Sequence, residues 1–163
     1  MLCEIYMPPG DGQNKETDEA VYFYTPNFYS LDNFSAHRIN IWNETFQTSE
    51  HAYQWKKFEE SAPEIARQVF DAPSPNEAKN ISMAHMDSRS ATWDVEKVAV
   101  MEEVLRAKYV QHADVRKVLG RTRDRTIFEN SPTDDFWGVG LEGSGKNMLG
   151  KLWMKIRDEG VGH

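Results

Sequence analysis

Cysteine is nearly absent from the 163-residue sequence, which contains a single one, Cys3. One thiol cannot form an internal disulfide, and it cannot supply the several thiolates of a structural zinc site. The histidines are too scattered for the two-histidine helical spacing of a metal site. We therefore expect no disulfide, no metal and no other cofactor, and a reducing, cytoplasmic setting.

Long apolar runs and an excess of basic residues are missing as well. No stretch approaches the roughly 18 apolar residues of a membrane helix, and the N-terminus lacks the pattern of a signal peptide. The 19 lysines and arginines are outnumbered by 26 acidic residues, which gives a formal net charge of −7. A membrane protein and a general nucleic-acid binder are disfavoured, whereas a pocket for a small nucleotide-like molecule needs only a few local donors.

The length corresponds to one domain with its own hydrophobic core. Residues 8–19 combine turn formers with charge, so we expect residues 1–19 to be a flexible segment and residues 20–163 to form the domain. Strands are predicted at 21–24 and 38–42, which would form a small sheet near the N-terminus, and a further strand is predicted at 126–129.

Helical patterns dominate from Thr48 onward, where Thr48 or Ser49 can cap a first helix that runs to about Glu60. The longest helix is predicted from Thr92 to about Val110. Its apolar stripe, expected to be core, comprises Val95, Val98, Met101, Leu105 and Tyr109. Further helix starts are marked by Pro63, Pro75 and Asn147.

The first candidate site lies on the early helix. Offsets of three, four and seven residues bring four side chains onto one face, so that an acid, an amide and an amine point together. These residues are Glu50, Tyr53, Gln54 and Lys57. Polar residues at such spacing often form only a solvated face, with Glu50 near the helix dipole and Lys57 paired on the surface. The spacing alone leaves both interpretations open.

The second candidate site is the loop from Ser131 to Gly140. Trp137 offers a flat face to a planar base, Gly138 lets a ligand approach the backbone closely, and Asp134 is a nearby acid. The alternative is a turn in which Asp134 caps a local N–H group while Trp137 fills the core.

The start of the last helix, at residues 145–147, is a candidate anion site. Free backbone N–H groups and the positive end of the helix dipole meet at such a position, so we expect a phosphate there. The glycine patterns at 138–143 and 140–147 approximate nucleotide-binding loops, but no strand precedes the first and Asn147 replaces the serine or threonine of the second.

Taken in order, these segments resemble the YbiA-like, or NADAR, family over about residues 20–158. Residues 50–58 are similar to its E-H-x-x-Q-x-x-K-F helix, 131–140 to its S-P-x-D-x-x-W-G-x-G element, and 145–157 to its closing G-x-N-x-L-G-K-x-x-M-x-x-R helix. Further similarity lies in 29–34, in Trp93 and in the helical segment 101–109.

The resemblance implies an α+β domain that is mostly helical and has a small sheet. It also implies an N-glycosidase, which hydrolyses the base–ribose bond of phosphorylated aminopyrimidine ribosides, the early intermediates of riboflavin synthesis. Two alternatives are removal of ADP-ribose from guanine, including guanine in DNA, and non-catalytic binding of ADP-ribose or a related nucleotide. Nucleic acid is expected as a partner only in ADP-ribosylated form, and no oligomeric state is predicted.

The resemblance also carries predicted roles. Glu50 and Asp134 are predicted to be the catalytic acids that meet one nucleoside, and Lys57 the amine that forms a Schiff base with the opened sugar, if burial lowers its pKa. Trp93 or Trp137 would stack the base, and Asn33 and Gln54 would hold sugar hydroxyls. The full set of predicted substrate contacts is Asn33, Phe34, Tyr53, Gln54, Trp93, Trp137, Gly138 and Asn147.

Overall fold

The computed structural model describes residues 15–23 and 29–161. They form two compact units. The first unit contains the described residues up to Asp32 together with those from Asp114 onward, and the second unit is the continuous segment Asn33–Ala113. The first unit is therefore built from two segments that are distant in sequence.

Within the described residues the chain forms five short strands and six α-helices. The strands are β1 (Lys15–Glu16), β2 (Ala20–Phe23), β3 (Ile39–Ile41), β4 (Glu44–Phe46) and β5 (Thr126–Glu129). The helices are α1 (Ser49–Lys56), α2 (Pro63–Asp71), α3 (Pro75–Ala84), α4 (Trp93–Gln111), α5 (Ala113–Arg121) and α6 (Met148–Val161). No helix in this part of the chain is long and apolar enough to cross a membrane.

The sheet of the first unit has the strand order β1-β2-β5. β2 pairs in parallel with β5, so that Val21 lies opposite Ile127, and both side chains are fully buried. α6 covers β5 with an apolar side, and the indole N–H of Trp153 donates to the carbonyl of Leu31 at 2.9 Å. The predicted strand at 126–129 and the apolar face of the last helix are confirmed.

The start of the first unit differs from the prediction. β1 lies within the segment predicted to be flexible, and it pairs antiparallel with β2. The hydroxyl of Thr17 accepts from the backbone N–H of Ala20 at 3.0 Å, and Arg125 forms an ion pair with Glu16. Residues whose composition favours turns and loops therefore include a short strand here. The prediction for residues 1–14, and for Tyr24, lies outside the described residues.

The sheet of the second unit is the hairpin of β3 and β4, in which Ile39 lies opposite Phe46. Trp42 and Asn43 form its two-residue turn with φ of 54° and 61°, the left-handed conformation of a type I′ turn. The prediction that 21–24 and 38–42 share one sheet is wrong, because this tight turn gives β3 its partner in β4 while β2 pairs with β5.

α1 begins as predicted, because the hydroxyl of Thr48 accepts from the backbone N–H of His51 at 3.2 Å. The helix ends at Lys56, a turn before the predicted end at Glu60. The buried His51 ring bonds the Thr48 hydroxyl and the carbonyl of Ala72. Because burial lowers the pKa of His51, this ring is a neutral structural element of the second unit.

α4 confirms the predicted long helix to within one residue at each end. Its buried face differs from the predicted stripe, because Val95 is 86% exposed whereas Met101 and Leu105 are buried. Trp93 fixes the buried face, and at about 100° per residue Val95 points to nearly the opposite side. The helix starts at Pro63 and Pro75 are confirmed, and α5 has no counterpart in the prediction.

Candidate active site

The Lys57 amine of the second unit lies in an aromatic corner. Its Nζ is 5.1 Å from the centre of the Tyr53 ring and 5.7 Å from that of the Trp93 ring. The two rings are 5.2 Å apart with their planes at 60°, and both are buried. Lys57 directly follows α1, while Trp93 is the first residue of α4, so two elements far apart in the sequence build this corner.

The environment makes Lys57 easier to deprotonate than an ordinary lysine. Burial lowers its pKa to about 8; the nearby charge of Glu50 opposes this shift, and the charges of Arg89, Lys79 and Lys97 add to it. With a pKa near 8, about a tenth of the amine is neutral at pH 7. Neutral amine is the form that can attack carbon.

Glu50 and Gln54 complete this group on α1. The side-chain amide of Gln54 donates to Glu50 Oε1 at 2.6 Å. Glu50, Tyr53 and Gln54 are at most 7% exposed, so the interpretation of this face as a solvated one is wrong. The backbone N–H of Glu50 donates to the carbonyl of Asn33 at 3.0 Å, which brings Asn33 to the start of the same helix.

Two buried amide oxygens in this region accept no hydrogen bond from any described residue: Asn33 Oδ1 and Gln54 Oε1. Each belongs to an amide whose nitrogen is used, since Asn33 Nδ2 lies 3.3 Å from Met101 Sδ and the Gln54 nitrogen bonds Glu50. Buried acceptors are rarely left unpaired in native proteins. A ligand with hydroxyl or amino donors would satisfy both. Phe34, half-buried, follows Asn33 along the chain.

The C-terminal half of α4 holds the segment that carries Asn33. Lys108, fully buried, donates to the Ser35 hydroxyl at 2.7 Å, which in turn bonds His37 Nδ1 at 2.7 Å. One turn further, Gln111 exchanges two hydrogen bonds of 2.8 Å with the backbone of Asn40. The sequence analysis names Lys108 only as a point of family similarity. The sequence could have indicated a buried role for Lys108, because this residue lies seven positions after Met101, on the apolar face of the predicted helix.

The acid of the second candidate site, Asp134, belongs to the first unit. Its Oδ1 accepts from the backbone N–H groups of Phe136 at 2.9 Å and Trp137 at 2.7 Å. The predicted local cap is therefore present. Trp137 is half-buried and lies edge-on to Phe136 at 4.9 Å, so it does not fill the core. The role of Asp134 as a catalytic acid stays a prediction.

Gly138 and Asn147 have packing functions in the first unit. A side chain on Gly138 would place Cβ 2.8 Å from the carbonyl oxygen of Glu129. Asn147 Oδ1 accepts from the N–H of Glu129 at 2.9 Å, and its Nδ2 donates to the carbonyl of Ile127 at 2.8 Å. Both polar atoms of Asn147 are thus used by β5, and substrate contacts by Gly138 and Asn147 stay predictions.

The predicted anion site at the start of α6 is contradicted by its hydrogen bonds. The backbone N–H groups of residues 145–149 each donate to a carbonyl of the loop 135–139. The pairs are Gly145 with Val139, Lys146 with Asp135, Asn147 with Gly138, Met148 with Phe136 and Leu149 with Trp137. The loop therefore caps the helix, and these N–H groups are not free to bind a phosphate.

Comparison with known proteins identifies the family. The model of the NADAR domain matches residues 14–159, most of the chain. The chain belongs to the NADAR family. The match begins next to β1, in agreement with the ordered backbone found ahead of Ala20.

Two of the similar proteins match this chain over nearly their whole length, and a third is much longer. The chain is 38% identical to an N-glycosidase of Nostoc punctiforme over 85% of this chain and 91% of that protein. It is 34% identical to the N-glycosidase YbiA of Escherichia coli over 90% of this chain and 92% of that protein. A riboflavin biosynthesis protein of Vibrio vulnificus is 30% identical over 91% of this chain, which spans 41% of that longer protein.

The solution structure of E. coli YbiA is similar in fold, with a TM-score of 0.78 and 31% sequence identity, and the match covers 95% of this chain and 94% of that one. The predicted NADAR membership and the α+β fold, mostly helical with little sheet, are confirmed. The prediction of an enzyme of the N-glycosidase class is confirmed by the same relatives.

Proposed function

We propose that this NADAR protein hydrolyses the base–ribose bond of phosphorylated aminopyrimidine ribosides. The observation that carries the proposal is the Lys57 amine, whose pKa is lowered to about 8 in the corner of Tyr53 and Trp93, with the charge of Glu50 nearby. The riboflavin biosynthesis protein among the relatives supports an aminopyrimidine riboside as the substrate.

The first step of the proposed reaction replaces the base by the enzyme amine. Nζ of neutral Lys57 bonds to C1 of the ribose, the C1–N bond breaks, and its electron pair leaves with the base. The nitrogen of Lys57 loses one proton, which Glu50 transfers to the departing base. The side-chain nitrogen of Gln54 lies 2.6 Å from Glu50 Oε1 and fixes the orientation of this carboxyl group, which favours such a transfer.

The second step opens the sugar and the third releases it. The remaining proton on Nζ moves through Glu50 to the ring oxygen, the ring bond at C1 breaks, and C1 is joined to Lys57 by a double bond, a Schiff base. Water then adds to C1 and the C–N bond breaks, which restores the amine and leaves the ribose as an aldehyde. The sum is one water added across the base–ribose bond.

The two unpaired acceptors match donors of this substrate class. Asn33 Oδ1 and Gln54 Oε1 are buried beside Glu50 and require hydrogen-bond donors. Ribose offers two ring hydroxyls and an aminopyrimidine offers amino groups. A ligand that lacked them would leave these acceptors unpaired, at a cost of about 1–3 kcal/mol each. The flat rings of Tyr53 and Trp93 suit a planar base.

The substrate is tested by parallel incubation with an aminopyrimidine ribosyl phosphate, ADP-ribosylated guanosine and free ADP-ribose, with mass analysis for released base. The proposal predicts base release from the first. Release from ADP-ribosylated guanosine alone would assign the guanine-directed activity instead. Tight calorimetric binding of ADP-ribose without release from either substrate would identify a binding module.

The nucleophile is tested by substitution and trapping. Lys57→Ala and Glu50→Gln are expected to lower turnover at least about 100-fold with melting temperatures close to that of the parent. Borohydride added with substrate should leave a covalent adduct on the parent and none on Lys57→Arg. Lys56→Ala is the matched control, because Lys56 lies over the Trp42 ring instead. Near-normal turnover of Lys57→Ala would show that Lys57 is not the nucleophile.

A further inference from the structure

The Lys57 amine is affected by three other cations of the second unit. Lys79 lies on α3, Arg89 lies in the connection 85–92 between α3 and α4, and Lys97 lies on α4. All three act on the Lys57 amine by charge repulsion. In a chain with a formal net charge of −7, the proposed nucleophile therefore has several cations among its neighbours.

Backbone and ring contacts place two of these cations, Arg89 and Lys97, near the aromatic corner. The N–H of Ser90 donates to the carbonyl of Lys57 at 2.8 Å, which holds the residue next to Arg89 against the end of α1. Trp93 contacts the Lys57 amine and begins α4, so Lys97 stands one helical turn further along the same side. Arg89 and Lys97 therefore border the corner on the side of α4.

One carboxylate is shared between two of these cations. Asp94 Oδ2 lies 3.3 Å from Arg89 Nη2, and Asp94 Oδ1 lies 3.6 Å from Lys97 Nζ. The Asp94 side chain is 70% exposed, whereas those of Arg89 and Lys97 are 29% and 24% exposed. A phosphate monoester carries close to two negative charges at neutral pH, whereas the carboxylate that these two cations share carries at most one.

We propose that Arg89 and Lys97 form a subsite for the phosphate of the substrate. This inference rests on the proposed function, because it takes Lys57 as the group that meets C1 of the ribose. The phosphate sits on C5 of that ribose, only a few bonds from C1, so cations bordering Lys57 are suitably placed. The planar guanidinium of Arg89 can donate two parallel hydrogen bonds to phosphate oxygens, and Lys97 adds charge.

The test compares the aminopyrimidine riboside with and without its phosphate at about pH 9.5, where most of Lys57 is deprotonated. The double variant Arg89→Gln, Lys97→Gln should raise KM for the phosphorylated substrate about 100-fold, roughly tenfold per cation, with kcat within about threefold. Its kcat/KM for the unphosphorylated riboside should not change. Lys117→Gln, an exposed lysine of α5, is the control and should alter neither value. Equal losses on both substrates, or none on the phosphorylated one, overturn the subsite.

A binding measurement separates the subsite from the proposed reaction. Calorimetry with ribose 5-phosphate and with ribose is carried out on Lys57→Ala, which cannot form a Schiff base, with and without the two glutamine substitutions. Ribose 5-phosphate binding that depends on Arg89 and Lys97 upholds the subsite even if no base is released in the activity assay. Equal binding with and without those substitutions, or no binding at all, overturns the subsite even if the enzyme is active.

Discussion

The reactivity of one amine, that of Lys57, depends on opposing neighbours. Burial lowers its pKa most, three nearby cations lower it further, and the charge of Glu50 raises it. The same carboxylate that is proposed to move protons thus keeps part of the amine protonated at neutral pH. The fraction of active enzyme therefore depends on pH in the range where Lys57 titrates.

The pH dependence of kcat/KM should follow the neutral form of Lys57. Activity is expected to rise with pH and to level off above an apparent pKa of about 8. Lys97→Gln removes a positive neighbour, so the protonated amine becomes less unfavourable and the rising limb should move to higher pH. Rate profiles of the parent, of Lys97→Gln and of the control Lys117→Gln measure both effects. A profile without a rising limb would contradict the assignment.

Local spacing was sufficient to find this group of residues but not its properties. The offsets of three, four and seven residues correctly place Glu50, Tyr53 and Gln54 on one side of α1, next to Lys57. The pKa of Lys57 also depends on residues of α3, α4 and their connection. No local sequence pattern predicts that these residues lie near Lys57 in the folded chain. The two unpaired acceptors, likewise, are visible only after the chain has folded.

At the level of elements, Asn147 joins the start of α6 to β5. Its backbone adopts a left-handed conformation, with φ of 52°, and its side-chain amide pairs with backbone groups of Ile127 and Glu129. Asparagine adopts this conformation more readily than most residues, and its amide can imitate a backbone partner. One side chain therefore extends the hydrogen bonding of the parallel sheet into the loop.

Replacing Asn147 should destabilise the fold. Asn147→Ala leaves two β5 backbone groups without these partners and adds left-handed strain, for an expected loss of about 2–5 kcal/mol in the free energy of unfolding. Asn147→Gly loses the same hydrogen bonds without the strain and should be about 1 kcal/mol less affected. Urea denaturation measures both losses. A cost below about 1 kcal/mol for Asn147→Ala would show that the amide is not needed.

Helix starts could be predicted from sequence because their signals are local. Thr48 and the first-turn prolines Pro63 and Pro75 mark their helices correctly. Strand pairing could not, because β2 and β5 are joined across about a hundred residues and each strand is too short to specify a partner. Val95 was misassigned to the core for a related reason, since tertiary packing of Trp93 selects the face of α4 that is buried.

At the scale of the whole molecule, the formal net charge is negative, whereas the residues proposed to bind phosphate are positively charged. The formal net charge of −7 disfavours any long polyanion, while the cations around Lys57 can serve one phosphate. The Debye length at physiological salt is about 8 Å, so charges far from the subsite act only weakly on a small bound anion. The proposed subsite therefore predicts selectivity for a small phosphorylated molecule over nucleic acid.

An unmodified duplex of about 20 base pairs should therefore not bind measurably. At about 0.15 M salt and protein concentrations up to about 100 µM, we expect no saturable change in fluorescence anisotropy, whereas non-specific DNA-binding proteins reach dissociation constants of about 1–100 µM. The double variant Arg89→Gln, Lys97→Gln is measured in parallel, to show whether any binding of the duplex depends on these two cations. Saturable binding by the parent that weakens steeply with salt would contradict this.

The parallel pairing of β2 with β5 also has a consequence for biosynthesis. During translation the second unit, Asn33–Ala113, leaves the ribosome before β5, which is then still inside the exit tunnel. β2 leaves the ribosome early and must wait, with an open edge, for the strand that completes its sheet. Pauses in translation between the two strands would prolong the time in which nascent chains can aggregate.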